Sequence, residues 1–168
     1  TGTLYLNEKV KPVLYSVGYG GQGASSEQEA LRPYVSADNQ YVEINFSEGV
    51  YGSGTSPAGV LLVSDLTVTS GGGASIGVSD IDSWDAALNS NAGGWAATLA
   101  AGASRYRLTL IGVPTTPDGT ETVEIEADVE DGAGNAVDVT KDTTGTLYLN
   151  EKVKPVLYSV GYGGQGAS

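Results

Sequence analysis

The chain has 168 residues, 20 Asp and Glu against 8 Lys and Arg, a net charge of −12, and no Cys, His or Met. That composition excludes disulfides and thiol chemistry and removes the commonest general base with the usual catalytic triad. It also lacks the basic patches that nucleic acid or an anionic membrane requires.

In chain order, Thr3–Leu6 reads as a short strand, with Leu4 and Leu6 facing one way and Thr3 and Tyr5 the other. Asn7–Pro12 is a charged linker ending in a proline, which cannot sit inside a paired ladder. Val13–Tyr19 predicts another strand, with Val13, Tyr15, Val17 and Tyr19 on one face. Ser26–Leu31 predicts a short helix with Ser26 as N-cap and Glu29 at the capping-box position, stopped by Pro33. Asp38-Asn39 marks a turn before Tyr41–Ser47, where Val42, Ile44 and Phe46 alternate with Glu43 and Asn45. Leu66 and Val68 alternate with Asp65, Thr67 and Thr69. Gly71-Gly72-Gly73 reads as a hairpin tip; the lysine and helix of a phosphate loop are missing.

Ser79–Leu88 predicts a second short helix, with Ser79 and Asp80 as caps and Trp84, Ala87 and Leu88 at helical spacing. Tyr106, Leu108 and Leu110 oppose Arg105, Arg107 and Thr109. After the turn Pro117-Asp118-Gly119, Val123, Ile125, Ala127 and Val129 oppose Glu124, Glu126 and Asp128. Asp131–Asn135 is a glycine-rich turn, followed by Val137 and Val139 and then by Leu147 and Leu149. About seven period-two runs, each with one polar face and separated by turn residues, predict an antiparallel β-sandwich.

Residues 144–168 repeat residues 1–25 at all 25 positions, an offset of 143. A period that long suits whole domains in tandem rather than a solenoid. The duplicated segment is strand, linker, strand, so it straddles a domain boundary. The expected division is residues 1–7 as the last strand of a preceding repeat, 8–150 as one complete domain, and 151–168 as the linker and first strand of the next. Thr1 in place of a methionine makes the chain an expected piece of a longer protein. No apolar run approaches the ~20 residues of a membrane span.

The series Val42–Val50, Val63–Thr69, Asp131–Val137 and Thr144–Pro155 resembles bacterial immunoglobulin-like repeats of large surface and secreted proteins, including adhesins. The matching features are a strand ending Phe46-Ser47-Glu48, a strand led by Ser64-Asp65, the turn Asp131-Gly132-Ala133-Gly134-Asn135, and a threonine-rich last strand leading to a proline-containing linker. The loops at about 20–37 and 79–100 fall outside the match. The resemblance implies an immunoglobulin-like sandwich, a bacterial cell-surface or secreted location, and a spacer or adhesive role without catalysis. The duplicated segment makes neighbouring identical repeats the expected partners, either in the same chain or as adjacent subunits joined head to tail by strand exchange.

Two candidate sites follow. In an immunoglobulin-like sandwich the turn Asp131–Asn135, the strand end at Glu48 and the incoming linker gather at one end. Glu8, Glu48, Asp131 and Asn135, with Asn7, therefore form a candidate Ca²⁺ site at the joint between domains, since Ca²⁺ takes 6–8 oxygen ligands. Asp131–Asn135 also fits a plain tight turn, and Lys152 and Lys154 in the linker work against a cation. Trp84 and Trp95 are candidates for stacking on a surface polysaccharide, or for capping the core. The acids Asp80, Asp82 and Asp85 read as solvated surface rather than as an acid–base pair. The sequon at Asn45 lies within a predicted strand.

Overall fold

In the computed structural model, residues 9–88, 93–138, 140 and 142–155 are described. Among them the regular structure is mostly β-strand in antiparallel sheets, with one short α-helix, α1 (Ser26–Ala30), and a single 3-10 turn at Val63–Asp65. Thr3–Leu6 and Val139 lie outside the described residues.

The strands are β1 (Tyr34–Val35), β2 (Tyr41–Asn45), β3 (Tyr51–Gly52), β4 (Leu66–Gly71), β5 (Gly77–Asp85), β6 (Gly94–Ala96), β7 (Arg105–Ile111), β8 (Thr122–Ala127), β9 (Val129–Glu130) and β10 (Leu147–Tyr148). One sheet has the order β1-β2-β7-β5-β6. A second has the order β10-β8-β4, and β9, one residue beyond β8, pairs with β3. Leu14 bridges Phe46, so the first segment covers the edge of β2.

The two layers close on a core made by the alternation read from the sequence. Val42, Ile44, Tyr106, Leu108 and Ile81 come from the five-stranded sheet; Val123, Ile125, Ala127, Val129, Leu147 and Leu149 come from the other layer. All are at most 5% exposed, and each large aliphatic side chain so buried contributes about 1.5–3 kcal/mol. Phe46 meets Tyr106 edge to face at 6.0 Å, and the Tyr106 hydroxyl donates to the Ala103 carbonyl at 3.0 Å.

Four expectations need correction. The predicted helix at Ser79–Leu88 is strand β5 up to Asp85. A bulge between Val78 and Asp80 shifts the register against β7. Ser79, read as a helix cap, sits in that bulge, and Val78 and Ile81 both reach the core across it. Gly71-Gly72-Gly73 is not a hairpin tip, because β4 and β5 lie in different sheets and the glycines carry the chain between them. The first helix caps one residue earlier than expected: Ser25 Oγ accepts from Gln28 N, and Gln28 Oε1 accepts from Ser25 N. The Val13–Tyr19 strand is shorter than expected, pairing at Leu14 and turning over Val17–Gly20.

Candidate functional site

The outer face of the five-stranded sheet carries the densest group of chemically distinctive side chains. Tyr106 and Leu108 point into the core, so Arg105 and Arg107 point out. The pairings Glu43↔Arg107 and Trp84↔Trp95 bring residues of β2, β7, β5 and β6 onto this face. The Trp84 and Trp95 rings meet at 5.3 Å and 77°. Arg105 Cζ lies 4.6 Å from the Trp84 ring centre and 5.1 Å from that of Trp95. Arg107 Cζ lies 4.3 Å from Trp95 and 4.0 Å from Tyr41. The result is a ladder of rings and guanidinium groups across four strands, stabilised by cation–π attraction.

Glu43 anchors the ladder. It is 2% exposed, and its two oxygens accept from Arg105 Nη2 and Arg107 Nη2, each at 2.8 Å. Burial pushes its carboxyl up, but the bonds from Arg107, Tyr34 and Arg105 outweigh burial and hold it below its ordinary value. Tyr34, beside it on β1, has its phenol raised by burial and by the carboxylate. Arg107 Nε is buried with no hydrogen-bond partner. Gly93 adopts φ 79°, and any side chain there would strike the Trp84 indole, so the Gly93 backbone lies directly against that ring.

Trp84 and Trp95 thus occupy an outer sheet face, half-buried, instead of capping the core. Their near-perpendicular arrangement gives no single flat platform, and guanidinium groups already stack on the rings. Asp80 Oδ1 accepts from Ile81 N, and Asp85 Oδ1 accepts from Ala87 N, so both acids serve local backbone. Asn45 is 5% exposed and its amide donates to the Leu31 carbonyl, which explains why its sequon is unsuited to a glycan.

The calcium candidates divide. Asp131 is 1% exposed; Oδ1 accepts from Ala133 N and Asn135 N at 2.8 Å, and Oδ2 accepts from Asn135 Nδ2 at 2.6 Å. Asp131 and Asn135 are brought together, but as the two ends of one turn. Burial raises the Asp131 carboxyl, and the bonds from Asn135 and Ala133 more than reverse this. Glu48 follows β2 and is half-buried, while Asn7 and Glu8 lie outside the described residues. No group of three or more His, Cys, Asp or Glu among the described residues is placed to hold a metal.

The duplicated segment is used in two different ways. From the first copy, Leu14 is core, Ser47 N donates to the Val13 carbonyl, Tyr15 N donates to the Asn45 carbonyl, and Val17 N donates to the Thr144 carbonyl. From the second copy, Thr144 is fully buried, Leu147 and Leu149 are core, and Leu149 N donates to the Glu121 carbonyl. Among the described residues, 9–25 of the first copy and 144–155 of the second thus fill different places in one body. Val13 sits beside the end of β2 at Ser47, whereas Asn150 hydrogen-bonds Asn39, just before β2 begins. The backbone joins the body at one end of β2 and leaves it at the other, about 20 Å away along the strand. A groove of about 380 Å³ is lined by Val13, Leu14, Tyr15, Ser16 and Tyr19 together with Thr140, Thr143 and Gly145. Compared with known protein families, curated proteins and solved structures, the chain matches none.

Proposed function

We propose that the chain is a structural repeat unit of a long extracellular fibre or adhesin stalk on a bacterial surface. The observation that carries this reading is that the two identical segments occupy different places in one body: Leu14 of the first lies beside β2, and Leu147 and Leu149 of the second pack beside β8. A strand–linker–strand segment that straddles a domain boundary in a tandem array requires such a difference. The opposite placement of Val13 and Asn150 supports it further, because units so threaded extend linearly when joined. In this reading residues 8–150 form the domain, 1–7 belong to the preceding repeat, and 151–168 lead into the next.

The strand order supports the immunoglobulin-like assignment. With the Leu14 segment counted as the first strand and the short edge strands β1 and β6 set aside, one layer runs first segment, β2, β7, β5, and the other β4, β8, β10. This order is compatible with the two strand sets of a constant-type immunoglobulin sandwich. The mechanical role follows from this: compact bodies in series hold something at a distance, and their acidic charge keeps a crowded array soluble.

Denaturing electrophoresis of the protein from its natural source tests the proposal. The array predicts a species far above 17.1 kDa. A species at that mass that still forms filaments under native conditions would instead mean separate subunits joined by strand exchange, since residues 1–7 equal 144–150. A second reading, a glycan-contacting module, is favoured by the outward position of Trp84 and Trp95. Quenching of their fluorescence by a polysaccharide would support it, and an unchanged spectrum would remove it.

A further inference from the structure

We propose that consecutive repeats meet at a clasped joint in which Val153 and Lys154 alone are left to swivel; the inference rests on the tandem-array reading. On the leaving side, Asn39 is 2% exposed with φ 62°, a left-handed conformation that Asn tolerates. Its Nδ2 donates to the Asn150 carbonyl and its Oδ1 accepts from Asn150 N, both at 2.8 Å. A side-chain amide thus pairs with main chain as a neighbouring strand would. Asn150 Nδ2 donates to the Ser36 carbonyl at 2.9 Å. Two residues on, Lys152 N donates to the Pro117 carbonyl at 2.7 Å and Lys152 Nζ to the Ala37 carbonyl at 2.6 Å. The chain is tied to two loops of the body as far as Lys152.

On the arriving side the tether begins at Pro12. Pro12 is buried and its carbonyl accepts from Asp138 N at 3.2 Å. Val13 N then donates to Ser47 Oγ at 2.9 Å. Residues 9–12 and 152–155 are the same tetrapeptide, Lys-Val-Lys-Pro. Pro155 is exposed where Pro12 is buried, a difference that a following repeat removes. Superposing the two copies fixes Lys152 to one body and Pro155 to the next. Three peptide steps span at most about 11 Å between these Cα atoms, so the facing loops of adjacent bodies lie within contact or a water layer or two. The clasp consists of side-chain amides, main chain and one lysine ammonium, so its stiffness is indifferent to chelators, unlike a calcium joint.

The test uses the chain extended by one period, with residues 26–168 appended after Ser168, and ¹⁵N relaxation of its amides. The joint predicts one rotational correlation time shared by both repeats and unchanged by EDTA. Inserting Gly-Ser-Gly-Ser between Val153 and Lys154 leaves every clasp contact in place and should drop both repeats toward the value of the single chain. Asn39→Gly keeps the left-handed backbone and removes the amide; it should loosen the joint partway while each repeat still melts cooperatively. Independent tumbling in the unmodified extended chain overturns the joint, as does an insertion without effect. A native mass at the single-period value would remove the array instead, leaving the joint measured in the extended chain unaffected.

Discussion

Glu43→Gln tests the ladder on the outer sheet face. The carboxylate is 2% exposed and accepts from two guanidinium groups at 2.8 Å. Removing one partner of a buried charged group costs about 3–5 kcal/mol when the other charge stays buried. Here Arg105 and Arg107 keep 40% and 25% of their side-chain exposure, so water recovers part of the loss. The expected cost is about 2–3 kcal/mol at pH 7, a drop in Tm of about 5–10 °C for a chain of this size. The folded carboxyl sits below its ordinary value, so its stabilisation is present above the unfolded pKa of about 4.3 and is lost as pH falls through the folded value. Thermal unfolding followed by circular dichroism at pH 7 and pH 2 reads both effects. The gap between the two proteins should narrow in acid. A cost under about 0.5 kcal/mol at pH 7, in the range of exposed surface pairs, would refute the reasoning, as would a gap equally wide at pH 2.

Core and outer face should separate in a paired comparison: Leu108→Ala costs about 2–5 kcal/mol, whereas Trp95→Ala costs roughly 1–2 kcal/mol because its half-buried ring mainly loses stacking. Equal losses in chemical denaturation would place Trp95 in the core after all. Asp131→Ala removes three bonds from the turn and is expected to cost about 2–3 kcal/mol at neutral pH. Its depressed carboxyl contributes above the unfolded value of about 3.9 and ceases to as pH falls through the folded value, so the penalty should vanish in strong acid. Because both Asp131 oxygens serve the turn, 1 mM Ca²⁺ should move Tm by less than about a degree. A site with Kd near 10 µM would add about 2.7 kcal/mol and several degrees.

The sandwich-like character was legible because its strands alternate cleanly: Val42-Glu43-Ile44 and Tyr106-Arg107-Leu108 state their own buried faces. Reading failed where the period broke. The bulge at Ser79 breaks the alternation just where Ser79 and Asp80 read as helix caps, and a two-residue strand such as β1 or β3 is too short to show any period. The ladder was half visible. Trp84 and Trp95 stood out as aromatics, but Arg105, Arg107 and Glu43 read as ordinary polar positions of amphipathic strands. Only the pairing of β2 with β7, of β7 with β5 and of β5 with β6 joins them. The clasp could not be read from sequence, since Asn39 and Asn150 lie 111 residues apart and neither the turn at Asp38-Asn39 nor the Thr144–Pro155 segment points to the other.

Pulling single molecules of the native protein tests the array most directly. The account predicts a train of evenly spaced force peaks, each releasing somewhat less than ~510 Å, the extended length of one 143-residue period at ~3.6 Å per residue. A single release per molecule, or steps that do not correspond to that period, would contradict it.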